Sequence, residues 1–276
     1  MTFKTVLAVV GSDGAKGDLS PALQAASEIG AHLTVIVAGI ATAPTIGDYP
    51  VGIGWIEQRD SDMKALQAVR DEVLERCRAE GISCDVDLAY AERAFLEEIL
   101  FQRTLYCDVV VIGKGVIQSA DLARSVLDAA VFQAHRPLVL IPASGKVSFH
   151  PKRVLLAWNS KLEAARAARE SLEMLIGAEQ VNVTLVDPDG FSGRNGEEPG
   201  ADVAAYLARH GVKVIVDQLP SAGRPVKTVL QQHALDIDAD LLVMGAYGHS
   251  RMRQRIFGGV TTSIMEEAQL PVLLAR

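Results

Sequence analysis

The second half of this chain rewrites the first. "KTVLAVVGSDGAKGDLSPALQAASEIG" (4–30) answers to "KRVLLAWNSKLEAARAARESLEMLIG" (152–177), and "AHLTVIVAG" answers to "EQVNVTLVD". "AEGISCDVDL" then matches "RHGVKVIVDQL", and "YCDVVVIGKG" (106–115) matches "DADLLVMGAYG" (238–248). The terminal pair is "QAHRPLVLIP" and "EAQLPVLLAR". The matches keep one order, so the chain is a duplication, with "ASGKVSFHPKR" (143–153) as its connection. Two domains follow, 1–145 and 150–276, and 276 residues suffice for a core in each.

Within each half, short apolar runs alternate with longer stretches of helical spacing. Val6–Val10, Leu33–Val37, Cys84–Leu88, Val109–Ile112 and Leu138–Ile141 read as strands covered on both faces. In "DMKALQAVRDEVLERCRAEG", Leu66, Val69, Val73, Leu74 and Cys77 form one stripe, with Gly81 just past the end. Strand–helix alternation at this spacing predicts α/β architecture: two doubly wound domains, each a five-stranded, mostly parallel sheet with helices on both faces. Such sheets take ligands beyond the carboxyl ends of their strands, where the strand order switches direction.

The segment after the second half's fourth strand carries the chemistry. Gly245, Gly248 and Gly258 are spaced Gly-x2-Gly-x9-Gly, and Gly259 follows. Glycines let the chain turn and expose backbone N–H groups. Gly258 and Gly259 open the helical pattern "VTTSIMEEAQ", whose free N–H groups favour phosphate. Thr261 and Thr262 offer hydroxyls, and Arg251, Arg253 and Arg255 offer guanidinium groups on the segment between. Their i, i+2 spacing lets at most two of them reach a ligand. A glycine turn beside a solvated basic loop is the plainer reading of the same residues.

Together these residues resemble the universal stress protein family, twice over and across nearly the whole chain. The resemblance implies an adenine nucleotide alpha hydrolase-like fold and an adenine nucleotide (ATP, ADP or AMP), with Mg2+ as its companion. It implies that Met244 and Val260 flank the nucleotide and that Val186, at the end of the second strand, meets adenine through its backbone. Asn159 stands where ATP-binding members carry Asp; it keeps hydrogen-bonding capacity without the charge. Gly259 stands where they carry Ser or Thr. The family's pairing also implies an intramolecular pseudo-dimer joined through "PLVLIP" and "PVLLA"; a homodimer of chains is a further level that the sequence leaves open.

The first half lacks these parts. Gln118 occupies the third glycine position of its "GKGVIQ", and Val10 stands at the position of Asn159. From Gly113 to Pro137 is 24 positions, against 26 from Gly245 to Pro271. Its segment 41–60, with Tyr49 and Trp55, reads as a long loop, suited to a small apolar ligand, a partner or simple packing.

Three function classes compete: a nucleotide-binding stress-response regulator, a nucleotide-independent interaction module with an unknown protein partner, and a slow ATP hydrolase. No Walker A and no Gly-x-Ser-x-Gly elbow occurs, so hydrolysis is expected to be slow at most. His249 reads as a phosphate neighbour or an exposed loop residue. The net charge of −7 gives no global attraction to nucleic acid or anionic membrane. Three cysteines without a CxxC point to reduced thiols and a cytoplasmic setting, with no zinc spacing.

Overall fold

Val6, Leu7, Ala8, Val9 and Val10 are each at most 1% exposed, the mark of a strand covered on both faces. They belong to β1 (Thr5–Val10), an inner strand of its unit, flanked on both sides by parallel strands. The computed structural model describes residues 3–12, 15–43, 53–142, 147–188, 198–246 and 268–276. Its contacts divide the chain into two units, Phe3–Arg136 and Pro137–Arg276.

The first unit contains α1 (Ala15–Ile29), β2 (His32–Ile40), α2 (Ile53–Glu80), β3 (Cys84–Ala91), α3 (Arg93–Thr104) and β4 (Val109–Ile112). It closes with α4 (Lys114–Gln118), α5 (Ala120–Leu127) and a π-helical turn, Asp128–Gln133. Its strands run parallel in the order β3-β2-β1-β4. The stripe expected on α2 is its packing face: Leu66, Val69, Val73 and Cys77 are buried, and Leu74 is half-buried. The same helix corrects the reading of 41–60 as a loop. Residues 53–60 form its first turns, and the Trp55 indole N–H donates to the Thr42 carbonyl at 2.9 Å. Positions 44–52, Tyr49 among them, lie outside the described residues.

The second unit starts with β5 (Leu138–Leu140) and continues with β6 (Arg153–Ala157), α6 (Leu162–Glu170), α7 (Leu172–Gly177) and β7 (Gln180–Val186). Then come α8 (Ala201–Arg209), β8 (Val214–Leu219), α9 (Val226–Asp236), β9 (Leu241–Gly245) and β10 (Val272–Ala275). The order is β5-β10-β9-β6-β7-β8, parallel except for β5, which meets β10 antiparallel with Val139 opposite Leu273. Each half of the sequence thus supplies five strands. Of the connecting segment, Val147 and Phe149 are buried. The helical run 162–177 is broken into α6 and α7 at the buried Ser171, whose hydroxyl donates back to the Ala167 carbonyl at 2.7 Å. Such back-bonding competes with the helical ladder.

The two halves of the sequence share a structural device. Asp108 accepts the backbone N–H groups of Lys4 and Thr5 at 2.7 and 2.9 Å, entering β1. Asp240 accepts those of Lys152 and Arg153, both at 2.9 Å, entering β6. In each half of the sequence a carboxylate just ahead of one strand, β4 or β9, fixes the start of its neighbour, β1 or β6.

Candidate functional site at the carboxyl edge of the second unit

β6 has β7 on one side and β9 on the other. The chain leaves β6 towards β7 and returns to its opposite flank only at β9. That reversal of direction makes the gap beyond the ends of β6 and β9 the switch point of this sheet.

Three described positions frame the gap. Beyond β6, the Trp158 N–H donates to the Thr184 carbonyl at 2.9 Å, carrying the ladder one residue further. Asn159 follows, its side-chain oxygen accepting the Lys161 N–H at 3.2 Å, a local turn that short polar side chains favour. Ser160 is left-handed at φ +57, so the chain bends sharply into α6. The buried face of α6 consists of Ala164, Ala167 and Ala168, small enough for the helix to lie close on the sheet.

Gly245, the last residue of β9, lies under that helix. A Cβ built there would stand 2.6 Å from the Glu163 carbonyl carbon and 2.8 Å from the Ala164 nitrogen. The backbone of α6's first turn therefore needs glycine at this position, whatever else approaches it. Met244, one residue earlier, is 2% exposed and opposite Leu274 of β10 in register.

Val186 ends β7, half-buried, and Asp187 beyond it is left-handed at φ +47. The Asp187 N–H donates to the Leu219 carbonyl at 2.9 Å, and its carboxylate accepts the Ser221 N–H at 2.8 Å. Hydrogen bonds from Ser221, by its side chain and then its backbone, hold the Asp187 carboxyl below its ordinary value. An ionised carboxylate therefore stands beside Val186 at neutral pH. The sequence reading passed over Asp187, although the "DPDG" turn signal at 187–190 marks the bend.

Gly248, Arg253, Gly258, Gly259, Val260 and Thr261 lie outside the described residues, as do Arg251, Arg255, Thr262 and His249. The described part of the arrangement supplies one side-chain amide, one strand-end backbone and a helix start around the switch point. Among the described residues, no group of three His, Cys, Asp or Glu could hold a metal ion. Nor is any described helix long and apolar enough to cross a membrane.

The corresponding edge of the first unit is differently furnished. Val10, at the place of Asn159, is fully buried. Gly113, at the place of Gly245, again admits a close neighbour: an added Cβ would stand 3.0 Å from the Asp18 Cα. Here the neighbour's side chain turns inward. The Asp18 carboxylate, 2% exposed, accepts the N–H groups of Gly115 and Val116 at 2.8 and 3.1 Å. The backbone donors that follow β4 are thus taken by the protein's own carboxylate.

Compared with known proteins, residues 150–276 match the universal stress protein family. A universal stress protein of Synechocystis is 25% identical over 183 residues, covering 61% of this chain and 58% of that relative's length. The chain therefore spans less than two thirds of the curated relative it matches. Among solved structures, a universal stress protein from Archaeoglobus fulgidus superposes with a TM-score of 0.68 at 16% identity, covering 98% of this chain and 96% of the other. A Pseudomonas aeruginosa protein provisionally given the same family name reaches 0.61 at 13% identity, covering 99% and 93%. At these identities the likeness to the two structures is one of fold.

Proposed function

Residues 150–276 are a universal stress protein domain, and from that premise we propose that the chain is a stress-response regulator that binds one adenine nucleotide in its second half. The observation that carries this reading is the Gly-x2-Gly-x9-Gly spacing of Gly245, Gly248 and Gly258, which starts at the end of β9 beside the switch-point gap. Asn159 stands after the neighbouring strand, β6, and suits the ribose or a base edge. The backbone at Val186 suits adenine, which is read by hydrogen bonds along its edge. Gly248, Gly258, Gly259 and Thr261 would cradle the phosphates with N–H groups and a hydroxyl, Arg253 would neutralise them, and Met244 and Val260 would flank the nucleotide. Phosphate oxygens would carry any Mg2+ with them, since the described residues offer no cluster for the ion alone.

The first half is the divergent copy in this reading. Val10 offers no hydrogen bond to a ribose, and Asp18 already satisfies the N–H groups of Gly115 and Val116. A phosphate entering there would meet a carboxylate in place of free donors, and like charges repel. Binding, with occupancy read out through shape or a protein partner, is the function; hydrolysis would be slow, since the described residues offer no metal carboxylate set. The test is mass spectrometry of small molecules released when the purified protein is denatured. Adenine nucleotide in the supernatant supports the reading. Its absence, together with no uptake of added ATP, ADP or AMP, would leave a nucleotide-independent interaction module.

A further inference from the structure

The helix α3 carries two stripes of large side chains, and its own unit covers only one. Leu96, Leu100 and Thr104 are buried one helical turn apart and hold the helix on its unit. At about 100° per residue, Phe95, Ile99, Gln102 and Tyr106 form a second stripe on the opposite side. Phe95 is 68% exposed, Ile99 38% and Tyr106 79%. Leu105 keeps helical angles at φ −59 and ψ −26, and the Tyr106 N–H donates to the Arg103 carbonyl at 3.2 Å, so the turn runs on and Tyr106 stays in line. Single exposed apolar residues are ordinary on a surface. A row at i, i+4, i+7 and i+11 has the spacing of a coiled-coil seam.

We propose that this face of α3 is the seam of a two-fold homodimer, in which the α3 helices of two chains lie side by side and parallel. The charges select both the occupant and its direction. In heptad terms Phe95 and Gln102 take position d, Ile99 and Tyr106 take a, Glu98 takes g and Arg103 the following e. In a parallel pair each g residue meets the e residue five positions on in the other helix. Glu98 then meets Arg103 of the second copy, and the two-fold axis repeats the contact. An antiparallel pair would set g beside g and e beside e, carboxylate towards carboxylate and guanidinium towards guanidinium.

Both charged groups stand ready for that contact. Glu98 and Arg103 are exposed. Arg103 holds Asp87 of β3 at 3.0 Å through Nη2, which steadies the side chain and leaves its other donors for a second carboxylate. Gln102 donates to Glu98 at 2.8 Å and would face its own copy across the axis, a single polar position of the kind that fixes register. With about 150–250 Å² available to an aromatic side chain, Phe95 and Tyr106 alone present about 300 Å² per chain at these exposures. Ile99 and the charged flanks add to this, and the seam stays in the class of small interfaces, below about 1,200 Å² in total, whose complexes are weak and transient. The dimer therefore forms and dissolves with concentration.

Sedimentation velocity of the full chain, over a concentration series reaching the millimolar range, tests this. The expected result is reversible association to a dimer at the upper end. Phe95→Ser combined with Tyr106→Ser should raise the dissociation constant about tenfold or more, with the far-ultraviolet spectrum unchanged because both side chains are exposed. Glu98→Arg and Arg103→Glu should each weaken self-association, while an equimolar mixture of the two variants should recover a dimer containing one of each, since every contact then joins opposite charges. A face that is merely sticky would not distinguish the mixture from its components. Association undiminished in the Phe95→Ser, Tyr106→Ser chain, or a mixture no stronger than either variant alone, would overturn the proposal. So would a chain that stays monomeric throughout, which would leave the face to a different protein.

Discussion

Gly245 and Glu163, 82 residues apart in the sequence, are in backbone contact: an added Cβ on the glycine would stand 2.6 Å from the Glu163 carbonyl carbon. A contact with backbone cannot be relieved by a side-chain rotation, so α6 or β9 would have to move. Gly245→Ala should therefore cost stability, by about 1–3 kcal/mol, as overpacking of a close-packed site does. Urea denaturation of the variant checks this. An unchanged midpoint would mean that α6 has room to yield.

Gly248→Val separates a ligand role from a packing role. The proposed cradle predicts that nucleotide affinity is lost while the far-ultraviolet spectrum and the denaturation midpoint stay near those of the unaltered chain. A β-branched residue denies close approach of phosphate and any positive φ needed there. Calorimetry showing undiminished affinity would make Gly248 a turn former. Arg253→Ala is the milder companion, expected to weaken ATP more than adenosine because only phosphates gain from a guanidinium.

Asp18 predicts a pH dependence with a sign opposite to that of most carboxylates. Burial, outweighing the bonds from Gly115 and Val116, raises its carboxyl above the ordinary 3.8. The native state then holds the proton more tightly than the unfolded state. Its contribution to stability is fully present below 3.8 and is lost as pH rises through the raised folded value. Asp18→Asn should remove that component of the pH profile. Asp18→Ala should cost about 1–3 kcal/mol at any pH, because two N–H groups lose their acceptor. Thermal melts across the acid range distinguish the three chains, and superimposable profiles for the unaltered and Asn chains would contradict the assignment.

Asp108 and Asp240 predict a matched pair of effects. Asp108 accepts two N–H groups at the start of β1 and Asp240 two at the start of β6. Asp108→Ala and Asp240→Ala should each destabilise by about 1 kcal/mol, the net worth of partly exposed hydrogen bonds. Hydrogen exchange should rise at Lys4 and Thr5 in the first variant, and at Lys152 and Arg153 in the second. Protection unchanged at those amides would remove the device from the account.

Much of this was legible in the sequence because it rests on periodicity. Five strands per half and the buried stripe of α2 follow from apolar spacing alone. What escaped depends on partners distant in the chain or on a single side chain. No local signal tells that Asp18 will bond Gly115, 97 residues away, or that the first turn of α6 will lie on Gly245. The start of α2 at Ile53 was hidden by Gly54, a poor helix former by propensity that lies inside the helix's first turn. The break at Ser171 turns on one hydroxyl choosing a carbonyl over water. At the candidate site, Val186, Met244 and Gly245 are set on their strands and Asn159 just beyond β6, while Gly248 through Thr261 rest on spacing and family resemblance.

The central claim is one nucleotide per chain, held by the second half, and calorimetric titration of the full-length protein with ATP tests it most directly. The account predicts a stoichiometry of about one that falls to none in Gly248→Val, while Val10 and Asp18 keep the first half silent throughout; the conversion of roughly 1.4 kcal/mol per decade means that losing a ribose bond and the phosphate cradle weakens that half by a hundredfold or more. Two equivalents of ATP per chain, or one equivalent that survives Gly248→Val unchanged, would contradict it.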